Sequence, residues 1–188
     1  MARRTGMFVL VAVLGAVLVG ALAAFAIADS GKRFNAQRMS ANFEVPAVSS
    51  NARGSFEATL QSNNTLTYEL SYSGLESAVT QAHIHFAQQF ASGGISVWLC
   101  ETTGVQSPAA AFNTTCPASG QVTGTIAASD VLGPSGQGIS AGEFSALLAA
   151  MRAGFTYANV HSASIPGGEI RGQIRARGGD GGDDDDDD

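Results

Sequence analysis

The chain has 188 residues, of which 45% are hydrophobic, and a formal net charge of −6 at neutral pH. Seven of the acidic residues are Asp180 and Asp183–Asp188, whereas residues 29–179 carry eight Lys or Arg and nine Asp or Glu and are nearly neutral. Because those residues form no basic patch, we exclude nucleic acid as an expected partner.

The first 28 residues have the features of an export signal. Arg3 and Arg4 precede an uncharged apolar run from residue 7 to residue 28, which ends in Ala26-Ile27-Ala28. Small residues at this spacing are typical of a signal-peptidase site. The run is also long enough to span a bilayer. Residues 1–28 are therefore predicted to be a signal peptide or an N-terminal membrane anchor, and a membrane is expected to be contacted only through this segment, if it is uncleaved. The rest of the chain is predicted to be periplasmic, cell-surface or secreted.

A short polar linker is predicted at 29–36, followed by one domain over 37–177. Apolar and polar residues alternate over 54–61 and over 66–72, and Asn63-Asn64 between them supplies a turn, which predicts a β-hairpin. Further strands are predicted at 39–45, 80–86, 95–99, 120–127, 155–161 and 169–175. Many short strands separated by Gly, Pro, Asn and Ser indicate an all-β antiparallel sandwich.

One segment departs from the strand period. Residues 140–152 place Phe144, Leu147, Leu148 and Met151 at helical spacing, after the pattern Ser140-Ala-Gly-Glu143 and before Gly154. A capping box followed by this spacing predicts one short helix over about 140–152.

The C-terminal segment 178–188 contains only Gly and Asp. It has no apolar residues with which to form a core, so we predict a disordered Gly/Asp tail.

The chain has two cysteines, Cys100 and Cys116. An even number of cysteines in an exported chain predicts a disulfide bond between them. A zinc site is disfavoured because the spacing offers no C-x-x-C pair.

All three histidines of the chain fall in two short strand-like motifs, Ala82-His-Ile-His-Phe86 and Tyr157-Ala-Asn-Val-His161. Successive side chains of a strand point to opposite faces, so His83 and His85 share one face. Since the aliphatic residues are expected to face the core, the imidazoles are predicted to lie on outer faces. Arg171 is predicted to join them from the segment Glu169–Arg175.

These motifs resemble the CHRD domain, which is named after chordin and also occurs singly in exported bacterial proteins. The resemblance covers residues 37–177 and rests on five segments in order: Gln81–Phe86, Gly93–Cys100, Gly138–Phe144, Tyr157–His161 and Gly167–Ile174. It implies an immunoglobulin-like sandwich. It implies no settled activity, because the bacterial members have none.

The order His83, His85, His161, Arg171 is also similar, more weakly, to the copper site of copper/zinc superoxide dismutases, which hold copper with a His-x-His pair and a later His. The resemblance implies a superoxide-dismutase-like sandwich as the other form of the fold. This chain has no fourth histidine, so at most three imidazoles could bind an ion.

Two interpretations of the histidines remain open. In the first, His83, His85 and His161 bind a transition metal, with copper favoured over zinc and with Asn159, Glu169 and Arg171 around the site. In the second, they form a hydrogen-bonded polar cluster in which Arg171 binds Glu169, another acidic group or a backbone carbonyl. Trp98 is expected to be a packing residue, with a ligand platform as the alternative.

Three functions follow from these interpretations. The first is an exported binding or surface-structural module that is not an enzyme, and the second is a copper-dependent redox protein. The third is an extracellular protein-interaction domain. In each case the partner is an unidentified extracellular or cell-surface ligand.

Overall fold

The computed structural model describes residues 32–102, 107–108 and 114–177. The predicted signal peptide or anchor at 1–28 and the predicted tail at 178–188 lie outside the described residues. Within the described part, the helices are all too short or too polar to cross a membrane.

The described chain forms eight strands and one α-helix. The strands are β1 Arg33–Ser40, β2 Arg53–Leu60, β3 Leu66–Ser73, β4 Val79–Phe86, β5 Ile95–Glu101, β6 Gly120–Ile126, β7 Thr156–Ser162 and β8 Ile170–Ala176, and the helix α1 is Phe144–Arg152. The predicted all-β class with one short helix is confirmed.

The strands pair in the order β5-β4-β7-β8-β1-β2-β3-β6, and every pairing is antiparallel. This sheet folds over on itself in a sandwich-like manner, because residues from strands that are distant in this order meet. The hydroxyl of Tyr68 on β3 donates a hydrogen bond of 2.5 Å to the carbonyl of Leu99 on β5. The apolar side chains between the two halves, among them Phe56, Leu70 and Ile84, are fully buried.

The predicted first strand at 39–45 was wrong. β1 begins at Arg33, so residues 33–36 of the predicted linker belong to the sheet. A register shift between Ala36 and Met39 interrupts the pairing of β1. Such a bulge breaks the alternation of buried and exposed residues, and Met39 and Ser40 are buried one after the other. The segment after Ser40 is a 3-10 turn, in which the Ser40 side chain accepts a hydrogen bond from the backbone of Asn42.

The helix begins later than its sequence pattern predicts. Ser140 and Glu143 do interact, since the Ser140 backbone N–H donates to the Glu143 carboxylate at 2.5 Å, but they close a turn before the helix starts at Phe144. The predicted end is confirmed, because the helix stops at Arg152 and Gly154 follows in the left-handed region with φ 73°. The apolar face of α1 packs into the common core.

The predicted disulfide bond is confirmed: Cys100 at the end of β5 is bonded to Cys116. Next to it, the hydroxyl of Tyr72 donates to the carbonyl of Pro117 at 2.6 Å. Two links therefore hold the segment after Cys116 to the body of the sheet.

Candidate metal centre

The histidines lie on one face of two paired strands. His83 on β4 stands opposite Asn159 on β7 and opposite Trp98 on β5, and His85 stands opposite Tyr157. His161, two residues beyond Asn159, shares that face. The registry of β4 and β7 therefore brings together the two histidine motifs, whose histidines are 76 or more positions apart in the chain.

The three imidazoles are close enough to bind one ion. The Nδ1 atom of His83 lies 3.1 Å from the Nε2 atom of His161. One ring nitrogen from each of His83, His85 and His161 can be chosen so that all three atoms lie within 4.8 Å of one another. The convergence of the three side chains that the metal-binding interpretation requires is thus present in the structure.

Backbone carbonyls orient two of the three rings. The Nδ1–H of His85 donates to the carbonyl of Gly93 at 3.0 Å, and the Nδ1–H of His161 donates to the carbonyl of Pro166 at 2.9 Å. Because a carbonyl can only accept, the proton of each neutral ring is on Nδ1, and Nε2 carries a free lone pair. Metal-binding histidines characteristically have their second nitrogen fixed in this way.

The histidines lie on the strand face opposite the aliphatic core residues, as predicted, but that outer face is not exposed to solvent. The exposed fractions of His83, His85 and His161 are 0, 9 and 6%. β4 and β7 are interior strands of the sheet, and the segments that carry Gly93 and Pro166 contact their second face. Alternation along a strand reports which residues share a face, but it does not report whether a loop covers that face.

Burial keeps the histidines uncharged. Burial, with a smaller contribution from the neighbouring His161, lowers the pKa of His83 to about 2 and the pKa of His85 to about 4. Burial also lowers the pKa of His161, against the opposing effect of its hydrogen bond to Pro166. At neutral pH all three rings therefore present the unprotonated form that metal coordination requires.

Two aromatic residues flank the histidines. The Trp98 ring meets the His83 ring edge-on, with 4.3 Å between centroids. The Tyr157 ring is stacked on the His85 ring, with 4.8 Å between centroids and 2° between planes. Trp98 is buried as predicted, and its place beside His83 makes it part of the wall of the cluster.

Arg171 is held on the far side of Tyr157. Its Cζ atom lies 4.3 Å from the centroid of that ring. Its Nε–H donates to the carboxylate of Glu44 at 2.8 Å, and its Nη1 donates to the carbonyl of Ala91 at 2.9 Å. Asn159 donates from Nδ2 to the same Glu44 carboxylate at 2.5 Å. Of the partners predicted for Arg171, a different acidic group and a backbone carbonyl are the ones present.

Glu169 forms its hydrogen bonds with residues outside the histidine cluster. Its Oε1 accepts hydrogen bonds from the hydroxyl of Ser50 at 2.7 Å and from the backbone of Glu76 at 2.9 Å. Although it shares a strand segment with Arg171, Glu169 makes no hydrogen bond to Arg171 or to the histidines among the described residues.

The sequence patterns missed Glu44, the main partner of Arg171. Glu44 follows the 3-10 turn after β1, and burial raises the pKa of its carboxyl, although Arg171 and Asn159 act in the opposite direction. Nothing local distinguishes this residue, because its role depends on β1 pairing with β8. Pairing two charged residues from separate segments cannot be read from periodicity.

Comparison with known families agrees with these motifs. Residues 34–174 match the model of the CHRD domain, a stretch that includes both histidine motifs and all eight strands except the ends of β1 and β8. Neither the curated proteins nor the solved structures compared with the chain gave a match. Since the family model covers well over half of the sequence, the chain belongs to the CHRD-domain family.

Proposed function

We propose that this protein is an exported CHRD-domain binding module that holds one transition-metal ion through His83, His85 and His161. The observation that carries the proposal is the convergence of three buried imidazoles whose candidate ligand atoms lie within 4.8 Å of one another. Backbone carbonyls already fix the remote nitrogen of two of them.

The spacing of one pair matches a shared ion, and the widest separation, up to 4.8 Å, would shorten to at most about 4.2 Å when the ion binds. Two nitrogens each about 2.0–2.1 Å from a tetrahedral ion are roughly 3.3 Å apart. In the structure, His83 Nδ1 lies 3.1 Å from His161 Nε2. With the proton of His83 on Nε2, the lone pairs of His83 Nδ1, His85 Nε2 and His161 Nε2 would all be available to the ion.

The polar-cluster interpretation leaves more nitrogens without partners. If His83 Nδ1 donates to His161 Nε2, the Nε2 atoms of His83 and His85 are both buried with no hydrogen-bond partner among the described residues. A buried polar atom without a partner costs about 1–3 kcal/mol. Binding an ion would satisfy His85 Nε2 and leave only His83 Nε2.

Copper is favoured over zinc as the occupant. An all-imidazole site suits both metals, but a given nitrogen site binds divalent copper more tightly than divalent zinc. Three protein ligands also leave a coordination position open for water or another small molecule.

That open position is what favours the second candidate function, a copper-dependent redox protein. Trp98 and Tyr157 line the cluster and the histidines are nearly inaccessible, so only a very small oxidant or reductant could reach the ion. We rank redox catalysis below metal binding for this reason.

Export and an extracellular partner are also part of the proposal. The Cys100–Cys116 disulfide supports an oxidising compartment, because disulfides persist there and are rare in the cytosol. The predicted signal at 1–28 would supply the route, and the partner would be an extracellular or cell-surface ligand.

Metal analysis of the full chain, expressed without a histidine tag, tests the proposal. We expect about one copper per chain after dialysis against equal copper and zinc, and nitrogen hyperfine splitting in the Cu(II) EPR spectrum. His85→Phe keeps a ring for stacking on Tyr157 but has no ligand nitrogen, so it should lose the metal. Trp98→Phe, which keeps all three histidines, is the matched control.

Two results would contradict metal binding: less than about a tenth of an equivalent of any transition metal in the folded wild-type chain, or equal metal in His85→Phe and wild type. Superoxide consumption by the copper-loaded protein separates the two candidate functions, because a binding module should show no more activity than the metal-free chain.

A further inference from the structure

A second concave site lies beside the histidine cluster and is chemically unlike it. A cavity of about 250 Å³ opens between β1, β8 and the loop after β4. Its lining includes three arginines, Arg38, Arg171 and Arg175, and several carboxamides, and none of the described residues that line it is acidic. A concave site with one sign of charge attracts ligands of the opposite sign.

The three arginines differ in whether an acidic partner already balances their charge. Arg171 is neutralised from behind by Glu44, and its bonds use Nε and Nη1. Arg175 donates from Nη2 to the side chain of Gln89 at 3.0 Å, which is an uncharged partner. Arg38 is exposed. Arg38 and Arg175 therefore bring two positive charges to the cleft that no carboxylate among the lining residues balances.

The loop after β4 also places an aromatic side chain at the cleft, in a backbone conformation that is unfavourable for it. Phe90 has an exposed fraction of 67% and a backbone φ of 62°. The left-handed region is unfavourable for a bulky side chain, and an exposed ring recovers little of that cost through packing. Residues in strained backbone conformations that packing does not stabilise are concentrated at ligand sites.

We propose that this cleft binds an acidic sugar, a pyranose ring that carries a carboxylate. The carboxylate would bind Arg38 and Arg175, since a guanidinium matches a carboxylate with two parallel hydrogen bonds. The apolar face of the ring would pack on Phe90 or on Phe43, which both line the cleft, and the hydroxyls would bond to the carboxamides. This site does not depend on the metal, because none of the three histidines lines it.

Calorimetric titration of the full, metal-free chain with glucuronate tests the proposal, with glucose and inorganic phosphate as comparison probes. Glucose lacks the carboxylate and phosphate lacks the ring. We expect saturable binding of glucuronate, at least about tenfold weaker binding of glucose, and weakening of glucuronate binding as salt is raised.

Variants locate the binding. Arg38→Gln removes one charge and should weaken glucuronate binding about tenfold. Phe90→Asn removes the ring, and because Asn tolerates the left-handed region it should leave thermal stability unreduced. Arg53→Gln and Phe155→Asn remove an exposed arginine and an exposed phenylalanine outside the cleft, so both should bind as wild type.

Several outcomes would overturn the assignment. These are the absence of saturable glucuronate binding, equal affinity for glucose, and equal losses in Arg38→Gln and Arg53→Gln. If phosphate binds as tightly as glucuronate and Phe90→Asn has no effect, the site is a general anion site and the sugar is excluded.

Discussion

The buried histidines make a specific prediction about the stability of the metal-free fold in acid. The pKa values of His83 and His85 are lowered by burial to about 2 and about 4, against 6.5 for an unperturbed histidine. Between pH 6.5 and pH 4 the unfolded chain therefore binds more protons than the folded chain. Stability is fully present above pH 6.5 and falls as the pH falls below it.

The magnitude follows from the width of that interval. Each pH unit contributes about 1.4 kcal/mol per histidine, so lowering the pH from 6.5 to 5 should cost about 2 kcal/mol for each residue and about 4 kcal/mol for both. His161 acts in the same direction. Glu44 acts in the opposite one, because its raised pKa favours proton uptake by the folded state and offsets part of the loss. The net loss should be readily measurable, because the free energy of unfolding of a typical protein is only about 5–15 kcal/mol.

Urea denaturation of the EDTA-treated chain at pH 7.5 and pH 5.0 measures this loss. Most carboxylates of the unfolded chain, with pKa values near 4, remain ionised at both pH values and contribute little to the difference. His83→Gln is the diagnostic variant: it should be less sensitive to pH than wild type by about 2 kcal/mol over this range. Equal unfolding free energies at the two pH values, or an unchanged pH dependence in His83→Gln, would refute the reasoning.

Four further predictions concern the residues around the histidines and the disulfide bond. Arg171→Lys should lower the unfolding free energy, because a lysine cannot bond Glu44 and the Ala91 carbonyl with one planar fork. Glu44→Gln should lower the unfolding free energy by about 3–5 kcal/mol, because it leaves Arg171 buried without its counter-ion. The double variant Glu44→Gln/Arg171→Met should be more stable than Glu44→Gln alone. Denaturant titration would measure both. Thiol titration of the denatured, unreduced chain should find no free thiol, and replacing both disulfide cysteines with Ala should cost about 3 kcal/mol. Gly93→Ala should destabilise the fold, because a Cβ would lie 1.8 Å from the carbonyl oxygen of Phe86. It should also disturb His85, which a shifted NMR resonance of that ring would show. The control Gly136→Ala, where a Cβ meets nothing within 4 Å, should behave as wild type.

Local pattern was sufficient for most of the fold. Alternation over 54–61 and 66–72 predicted the β2–β3 hairpin, and short apolar segments bounded by turn residues predicted β4 to β8, because each strand has an apolar face that the core must bury. The position of β1 was not predicted correctly, because its bulge places two buried residues in succession and so breaks the alternating pattern. The cysteine pairing needed only the count of two and the expectation of export.

The sequence by itself also determined that His83 and His85 share a face and that the three histidines fall in two motifs. Only the tertiary structure decided that β4 lies next to β7, which places His161 beside His83, and that the loops carrying Gly93 and Pro166 cover these rings and fix their protons. It alone joined Glu44 to Arg171. The physical reason is that periodicity reports the environment of a residue along its own strand, whereas strand order and loop cover depend on how the whole core is enclosed.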